Sequence, residues 1–123
     1  MDKSFVEYFG RILMECVRDR TIYSFDKVVE GKMRGETGEF YAEIMKDFTP
    51  KQIELLHNYI IPDLVDKCIF NLLHFIETSD DIDIVISSDT EEKKLKQICD
   101  VFSSRLLSEN GWKDMYSKNK VER

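Results

Sequence analysis

Apolar residues recur at steps of three and four along most of this chain, and that period is typical of amphipathic helices. The best-defined helix start lies at Thr49, a suitable N-cap, with Pro50 in the first helical position and Gln52 completing a capping box. Ser4 and Glu7 form a similar box before the first apolar stripe. The pattern therefore predicts an all-α fold, a single compact bundle of five to six helices.

The helix boundaries follow from glycine, proline and capping residues. A break is expected near 19–21, a stop at Gly31, and an end or a kink at Pro62, because proline lacks a backbone donor and disfavours helical geometry in the residue before it. The predicted helices cover about 4–20, about 22–31, about 37–47, Thr49 to Pro62, Asp63 to Ile76, and Ser88 to Asn110.

The helix that starts at Asp63 carries the broadest apolar stripe and is expected to lie at the centre of the core. Its stripe comprises Leu64, Val65, Cys68, Ile69, Leu72, Leu73 and Ile76. In the last helix the expected core residues are Leu95, Ile98, Cys99, Phe102 and Leu106. The three cysteines, Cys16, Cys68 and Cys99, all lie on such stripes and are expected to be buried and inert.

Length, cysteine spacing and charge limit the class of protein. A chain of 123 residues is expected to form one helical domain over 1–123, with a frayed segment at 113–123. Three widely spaced cysteines indicate neither a disulfide framework nor a zinc site, and no apolar run suggests secretion or a membrane span, so we expect a cytoplasmic protein. A net charge of −6 disfavours nucleic acid as a partner.

An acidic stretch is the most distinctive local feature. Residues 77–92 contain seven carboxylates and no Lys, Arg or His. Three of them fit helix capping at the start of the last helix and Glu77 fits an ordinary solvated position, which leaves Asp80, Asp81 and Asp83 beside the isoleucine-rich segment 82–86. That segment fits either a short strand, which would lack a partner strand in the chain, or a helical or irregular turn, which we favour. We expect the three aspartates to bind a partner.

The two histidines offer little chemistry. His57 ends an E-x-x-H motif of the kind found in di-iron bundles, but the corresponding motif before His74 has Asn71 in place of the acid, so we expect no metal and no cofactor. On a helical wheel His74 shares a polar face with Phe70. Both residues are candidates for partner contact, since aromatics rimmed by charge often anchor interfaces.

Three functions are compatible with these features. The favoured one is a small acidic protein-interaction module that binds a basic partner, and its size and charge resemble those of small helical inhibitors, including immunity proteins. The second is a helical enzyme or small-molecule-binding protein with an interhelical pocket near His57 or His74. The third is a homodimer paired through 82–86. The absence of a catalytic signature favours a non-enzymatic role.

Overall fold

A computed structural model describes residues 2–119 of the chain. These residues are mostly helical and include one small two-stranded sheet. The predicted helical character is confirmed, whereas the arrangement as one compact bundle and the single domain over 1–123 stay predictions.

The first helical stretch is continuous. Its parts in chain order are α1 (Asp2–Ile12), a π-helical turn (Leu13–Arg18) and α2 (Asp19–Val29). The predicted break at 19–21 is wrong, because helical hydrogen bonding continues through these residues. The wide π turn just before them accommodates the irregular spacing of the apolar residues. Gly31 lies just beyond the end of α2, as predicted, with a φ of +70° and its N–H donating to the Val28 carbonyl at 3.1 Å.

The next helix, α3 (Gly35–Met45), lies against α2. A Cβ at Gly38 would come within 2.0 Å of the Met33 carbonyl oxygen, so glycine is needed for this close approach. Gly38 is the one buried residue of α3, all of which the structure describes. Most of the surface of this helix is therefore exposed.

The second long stretch passes through Pro62 without ending. Its parts are α4 (Pro50–Leu55), a π-helical turn (Leu56–Ile60) and α5 (Ile61–Thr78). The Ile61 N–H donates to the Leu56 carbonyl, five residues back, so the wide turn closes immediately before the proline. An ordinary helical turn would place the proline ring against the carbonyl four residues earlier, and the wide turn relieves that crowding. A helix end at Pro62 is therefore wrong.

The capping box at Thr49 is confirmed. The Thr49 hydroxyl accepts from the Gln52 N–H at 3.1 Å, and the Gln52 side-chain oxygen accepts from the Thr49 N–H at 2.9 Å.

We expect Thr49→Ala to lower the free energy of unfolding by about 1 kcal/mol, since one orphan donor of α4 loses its acceptor. Urea unfolding followed by circular dichroism measures the change. The control is Thr90, whose hydroxyl makes no hydrogen bond within the described residues. Thr90→Ala should change the free energy of unfolding by less than half as much as Thr49→Ala.

Residues 85–94 form a hairpin, which corrects two predictions. Strand β1 (Val85–Ser87) pairs antiparallel with β2 (Glu92–Lys94), so the strand has a partner within the chain and the favoured helical or irregular turn is wrong for residues 85–86. Residues 82–84 are irregular. The predicted helix from Ser88 to Asn110 is also wrong. Ser88 and Glu91 do interact, but as a turn, with the Ser88 N–H donating to the Glu91 carbonyl at 2.7 Å. Residues after β2 form short elements: α6 (Leu95–Ile98), a 3₁₀ turn (Ser103–Arg105) and α7 (Trp112–Tyr116).

The core collects side chains from α1, the first π turn, α5, β1, α6, α7 and the residues on either side of the 3₁₀ turn. Its buried members are Val6, Met14, Ile69, Leu73, Ile86, Leu95, Phe102, Leu106 and Trp112. The burial of Leu95, Phe102 and Leu106 was predicted, although the helix meant to carry them does not form. The apolar period thus identifies core residues even where it misassigns the secondary structure.

Trp112 packs where α7 crosses α1. Its ring lies edge-on to Phe9, with centroids 5.7 Å apart, and covers Gly10. Tyr116, one turn later, donates from its phenol to a Glu7 carboxylate oxygen at 2.7 Å. That hydrogen bond raises the pKa of Tyr116 above its ordinary value. These contacts fix α7 on the first helix.

A buried ion pair joins the two long helical stretches. The Arg18 Nε lies 2.6 Å from Asp66 Oδ1, and neither side chain is more than slightly exposed. Arg18 also donates to the Ser117 hydroxyl at 2.6 Å and to the Asn119 carbonyl. The segment predicted to fray, 113–123, begins inside α7, and Arg18 holds Ser117 and Asn119 in its later part. Residues 120–123 lie outside the described part of the chain.

Candidate interaction surfaces

Of the predicted partner-binding residues, Asp83 has a structural role. Its Oδ1 accepts from the Ile84 N–H at 2.7 Å and from the Lys96 N–H at 3.2 Å, so it caps the first turn of α6. Lys96 also donates from its ammonium to the Ser79 carbonyl at the end of α5. This capping role accounts for an aspartate at position 83 without reference to a binding protein.

Asp80 and Asp81 are exposed just beyond α5. The Asp81 N–H donates to the Ser79 hydroxyl at 3.3 Å, which holds the two carboxylates near the C-terminal end of an 18-residue helix. A helix C-terminus carries partial negative charge, so the aspartates add to it, and the Lys96 ammonium offsets part of the sum. The result is a small negative site.

Phe70 and His74 are in contact on α5. Their rings stack nearly parallel, with centroids 5.8 Å apart, and Phe70 is about one-third exposed. His74 Nδ1 lies 3.5 Å from Glu77, whose two carboxylate oxygens accept from the backbone and the hydroxyl of Ser103. Glu77 thus fixes the 3₁₀ turn, while the Phe70–His74 pair faces outward.

The apolar stripe of α5 is divided between core and solvent. Ile69 and Leu73 are buried as predicted, but the placement of the whole stripe in the core is wrong. Exposed residues at helical spacing are Leu64, Cys68, Leu72 and Phe75. Cys16 is exposed as well and Cys99 is half-buried, so the predicted burial of all three cysteines is also wrong. The stripe is wider than the surface that the rest of the chain covers.

The histidines do not share a site. His57 Nε2 lies 2.9 Å from an Asp26 carboxylate oxygen, and its Nδ1 lies 2.9 Å from the Asn58 side-chain oxygen. Both ring nitrogens therefore have a partner within the chain. Within residues 2–119 no three metal-ligating side chains come together in a way that could hold an ion. His57 therefore acts as a link between α2 and the π turn before α5.

An exposed apolar surface lies on α3, where the sequence pattern predicts an ordinary helical stripe. Phe40, Tyr41 and Ile44 are 62, 38 and 41% exposed. Beside them run Glu36, Glu39 and Glu43, all exposed. We call these six residues the α3 surface. Helical periodicity alone could not find it, because an apolar stripe that faces the core and one that faces a partner have the same spacing.

The α3 surface is strongly negative. Between residues 35 and 47 four carboxylates stand against one ammonium, Lys46, for a net charge of −3. Lys46 pairs with Glu43, while Glu36 and Glu39 have no ion-pair partner in the described part of the chain. Glu36 lies in the first turn of α3, where it also complements the helix dipole. Helix stability alone does not account for Glu39.

An apolar groove of about 340 Å³ adjoins the α3 surface. It lies between α2 and α3 and is lined by Phe25, Val28, Tyr41, Ile44 and Met45. Its volume is near the lower end of the roughly 300–1,000 Å³ typical of small-molecule sites, and the Tyr41 hydroxyl is the one polar side-chain group among its lining residues. Such a groove can take apolar side chains and offers little to orient a polar ligand.

In comparisons with known proteins, no family model, curated protein or solved structure matches this chain. None of the helices within residues 2–119 combines the length and the apolar composition that crossing a membrane requires.

Proposed function

We propose that this protein is a small acidic protein-interaction module that binds the basic surface of a partner protein in the cytoplasm, as inhibitors of the immunity type do. The observation that carries the proposal is the α3 surface, where three exposed apolar side chains lie beside a row of three glutamates.

Both halves of the α3 surface favour binding. Fully burying an apolar side chain contributes about 1.5–3 kcal/mol, so covering the half-exposed Phe40, Tyr41 and Ile44 would contribute a substantial part of a protein–protein affinity. Aromatic residues are common among the few that dominate binding energies. The glutamates would accelerate the encounter with a basic partner and disfavour acidic ones.

The two other candidate functions have weaker support. A pocket at the histidines would need a free imidazole, yet His57 pairs with Asp26 and His74 stacks on Phe70. A dimer through 82–86 would supply a partner for an unpaired strand, and β2 already fills that role within the chain. No observation therefore favours either function over the interaction module.

A photo-crosslinking amino acid at position 40 tests the proposal. In extract of the source cells it should capture a protein whose surface is basic, and mass spectrometry identifies that protein. Capture should fall as salt is raised, because exposed charges are screened. The same amino acid in place of Leu107, which is also half-exposed, is the positional control.

Charge reversal then assigns the site. Glu36→Lys, Glu39→Lys and Glu43→Lys together should reduce capture at least tenfold, while Glu109→Lys should leave it unchanged. Capture of an acidic protein, or capture that is indifferent to the triple reversal, contradicts the proposal as stated. Loss in an Asp80→Lys, Asp81→Lys variant alone would instead place the site at the end of α5.

A further inference from the structure

We infer that the groove between α2 and α3 receives an amphipathic helix of the partner, whose apolar face enters the groove and whose Lys or Arg residues lie along one edge only. The inference rests on the proposed function, since it names the part of the basic partner that meets the α3 surface. Three features of the groove carry it.

The first feature is the spacing of the lining residues. Phe25 and Val28 are three apart on α2, and Tyr41 is three and four residues before Ile44 and Met45 on α3. Two rows of side chains at helical spacing form a channel, and helices that bind in channels present anchors at i, i+3 or i+4, and i+7. About two such anchors fit a groove of about 340 Å³.

The second feature is the kind of wall. The lining consists of side chains from two helices, so this groove offers no free strand edge. An extended peptide that binds by strand addition needs unpaired backbone N–H and C=O groups along its path. A helix satisfies its own backbone hydrogen bonds and needs only an apolar channel.

The third feature is the one-sided charge of α3. At 100° per residue, Glu36, Glu39 and Glu43 fall on one side of Phe40 and Ile44, whereas Tyr41 and Met45 fall on the other side, towards the groove. A helix seated over Phe40 and Ile44 therefore meets carboxylates along a single edge. Its complementary cations must be confined to that edge.

Charge also decides between possible occupants. A second copy of this chain would bring another net charge of −6, and its own α3 would bring another −3 to the interface. An anionic membrane surface would be repelled in the same way. Only an occupant with positive charge beside an apolar face matches both parts of the surface.

Synthetic 18-residue helical peptides test the inference with purified protein. All carry leucine at i, i+3, i+4 and i+7; one has lysines along a single flanking edge, one has glutamates there, and one has the lysine peptide's composition in scrambled order. The lysine-edge peptide should bind at least tenfold more tightly than the other two, as measured by fluorescence anisotropy at low salt. Two-dimensional NMR should place its largest shifts at residues 25–28 and 40–45.

Matched variants identify the groove. Ile44→Ser should weaken the lysine-edge peptide about tenfold, whereas Leu55→Ser, which changes a side chain of the same 41% exposure, should not. Glu39→Lys should remove the preference for lysine over glutamate. Circular dichroism verifies that each variant is folded, and Tyr41→Ser serves in place of Ile44→Ser should that variant unfold.

The outcomes separate this inference from the proposed function. Equal binding of the lysine-edge and scrambled peptides, or shifts outside the groove, overturns the helix inference, even if crosslinking at position 40 captures a basic protein. Failure of that capture together with binding of the lysine-edge peptide overturns the proposed cellular role and leaves the groove specificity intact. Binding that is selective for the lysine edge and lost in Ile44→Ser supports the inference.

Discussion

Asp66→Ala is expected to lower the free energy of unfolding by about 3–5 kcal/mol, because a buried guanidinium loses the carboxylate that is bonded to it and keeps only Asp19, whose Oδ1 lies 3.8 Å from Nη1. Arg18 is fully buried and Asp66 is 4% exposed. The carboxylate accepts from Arg18 Nε at 2.6 Å and from Nη2 at 3.3 Å, and Lys113 Nζ lies 3.5 Å away. A loss of this size is a large fraction of the total stability of about 5–15 kcal/mol that a small domain has.

The comparison with an apolar replacement of both partners isolates the cause. Arg18→Met with Asp66→Leu should cost clearly less than Asp66→Ala alone, since no unpaired charge remains buried and the Ser117 hydroxyl still donates to Asp19. Asp63→Ala, on the same helix but paired with the exposed Lys67, should cost less than about 1 kcal/mol. Urea unfolding measures all three. Equal losses in the single and double variants would show that the ion pair is not the source.

The second large effect is expected at Gly10. A Cβ there would lie 2.4 Å from two Trp112 ring atoms, so Gly10→Ala must displace the buried indole. Overpacking of this kind typically costs about 1–3 kcal/mol, and a shift of a fully buried Trp places the cost at the upper end. Elsewhere in a helix the same substitution would stabilise by up to about 1 kcal/mol.

Gly10→Ala should thus destabilise the protein only while the indole is present, and removal of the indole is the control. In a Trp112→Leu background, which is itself expected to cost about 3 kcal/mol, Gly10→Ala should become neutral or stabilising. Thermal or urea unfolding followed by circular dichroism gives the four values of the cycle. A loss that is unchanged by removal of the indole would contradict the contact. In the Trp112-containing forms, the protein's single Trp reports the displacement through its fluorescence.

Features that depend on neighbouring residues were predictable from the sequence. The Thr49–Gln52 box and the stop at Gly31 are confirmed, because capping and positive-φ geometry are decided within one turn of chain. The hairpin at 85–94 was not predictable in this way. Ser88 and Glu91 suit a helix cap and a turn equally well, and the burial of Ile86 in the core decides between them.

The candidate site was only partly predictable. Phe70 and His74 are in contact as their shared face suggested, but Asp83 is used as a cap, and no feature of the sequence distinguishes the α3 surface from the other apolar stripes. Helical spacing identifies an apolar face without saying what covers it. Here Gly38 is the one buried residue of α3, so Phe40 and Ile44 remain exposed for a reason that lies in tertiary packing.

The partners of Arg18 also bear on how the chain is made. Asp66 and Ser117 follow Arg18 by 48 and 99 positions, so on the ribosome the first helical stretch emerges long before all the partners of its buried guanidinium have been made. At about 5–20 residues per second, synthesis of the 51 residues between Asp66 and Ser117 takes roughly 3–10 s. We therefore expect the nascent chain to stay open over that interval and its apolar stripes to be accessible to chaperones until residues 117–119 have been added.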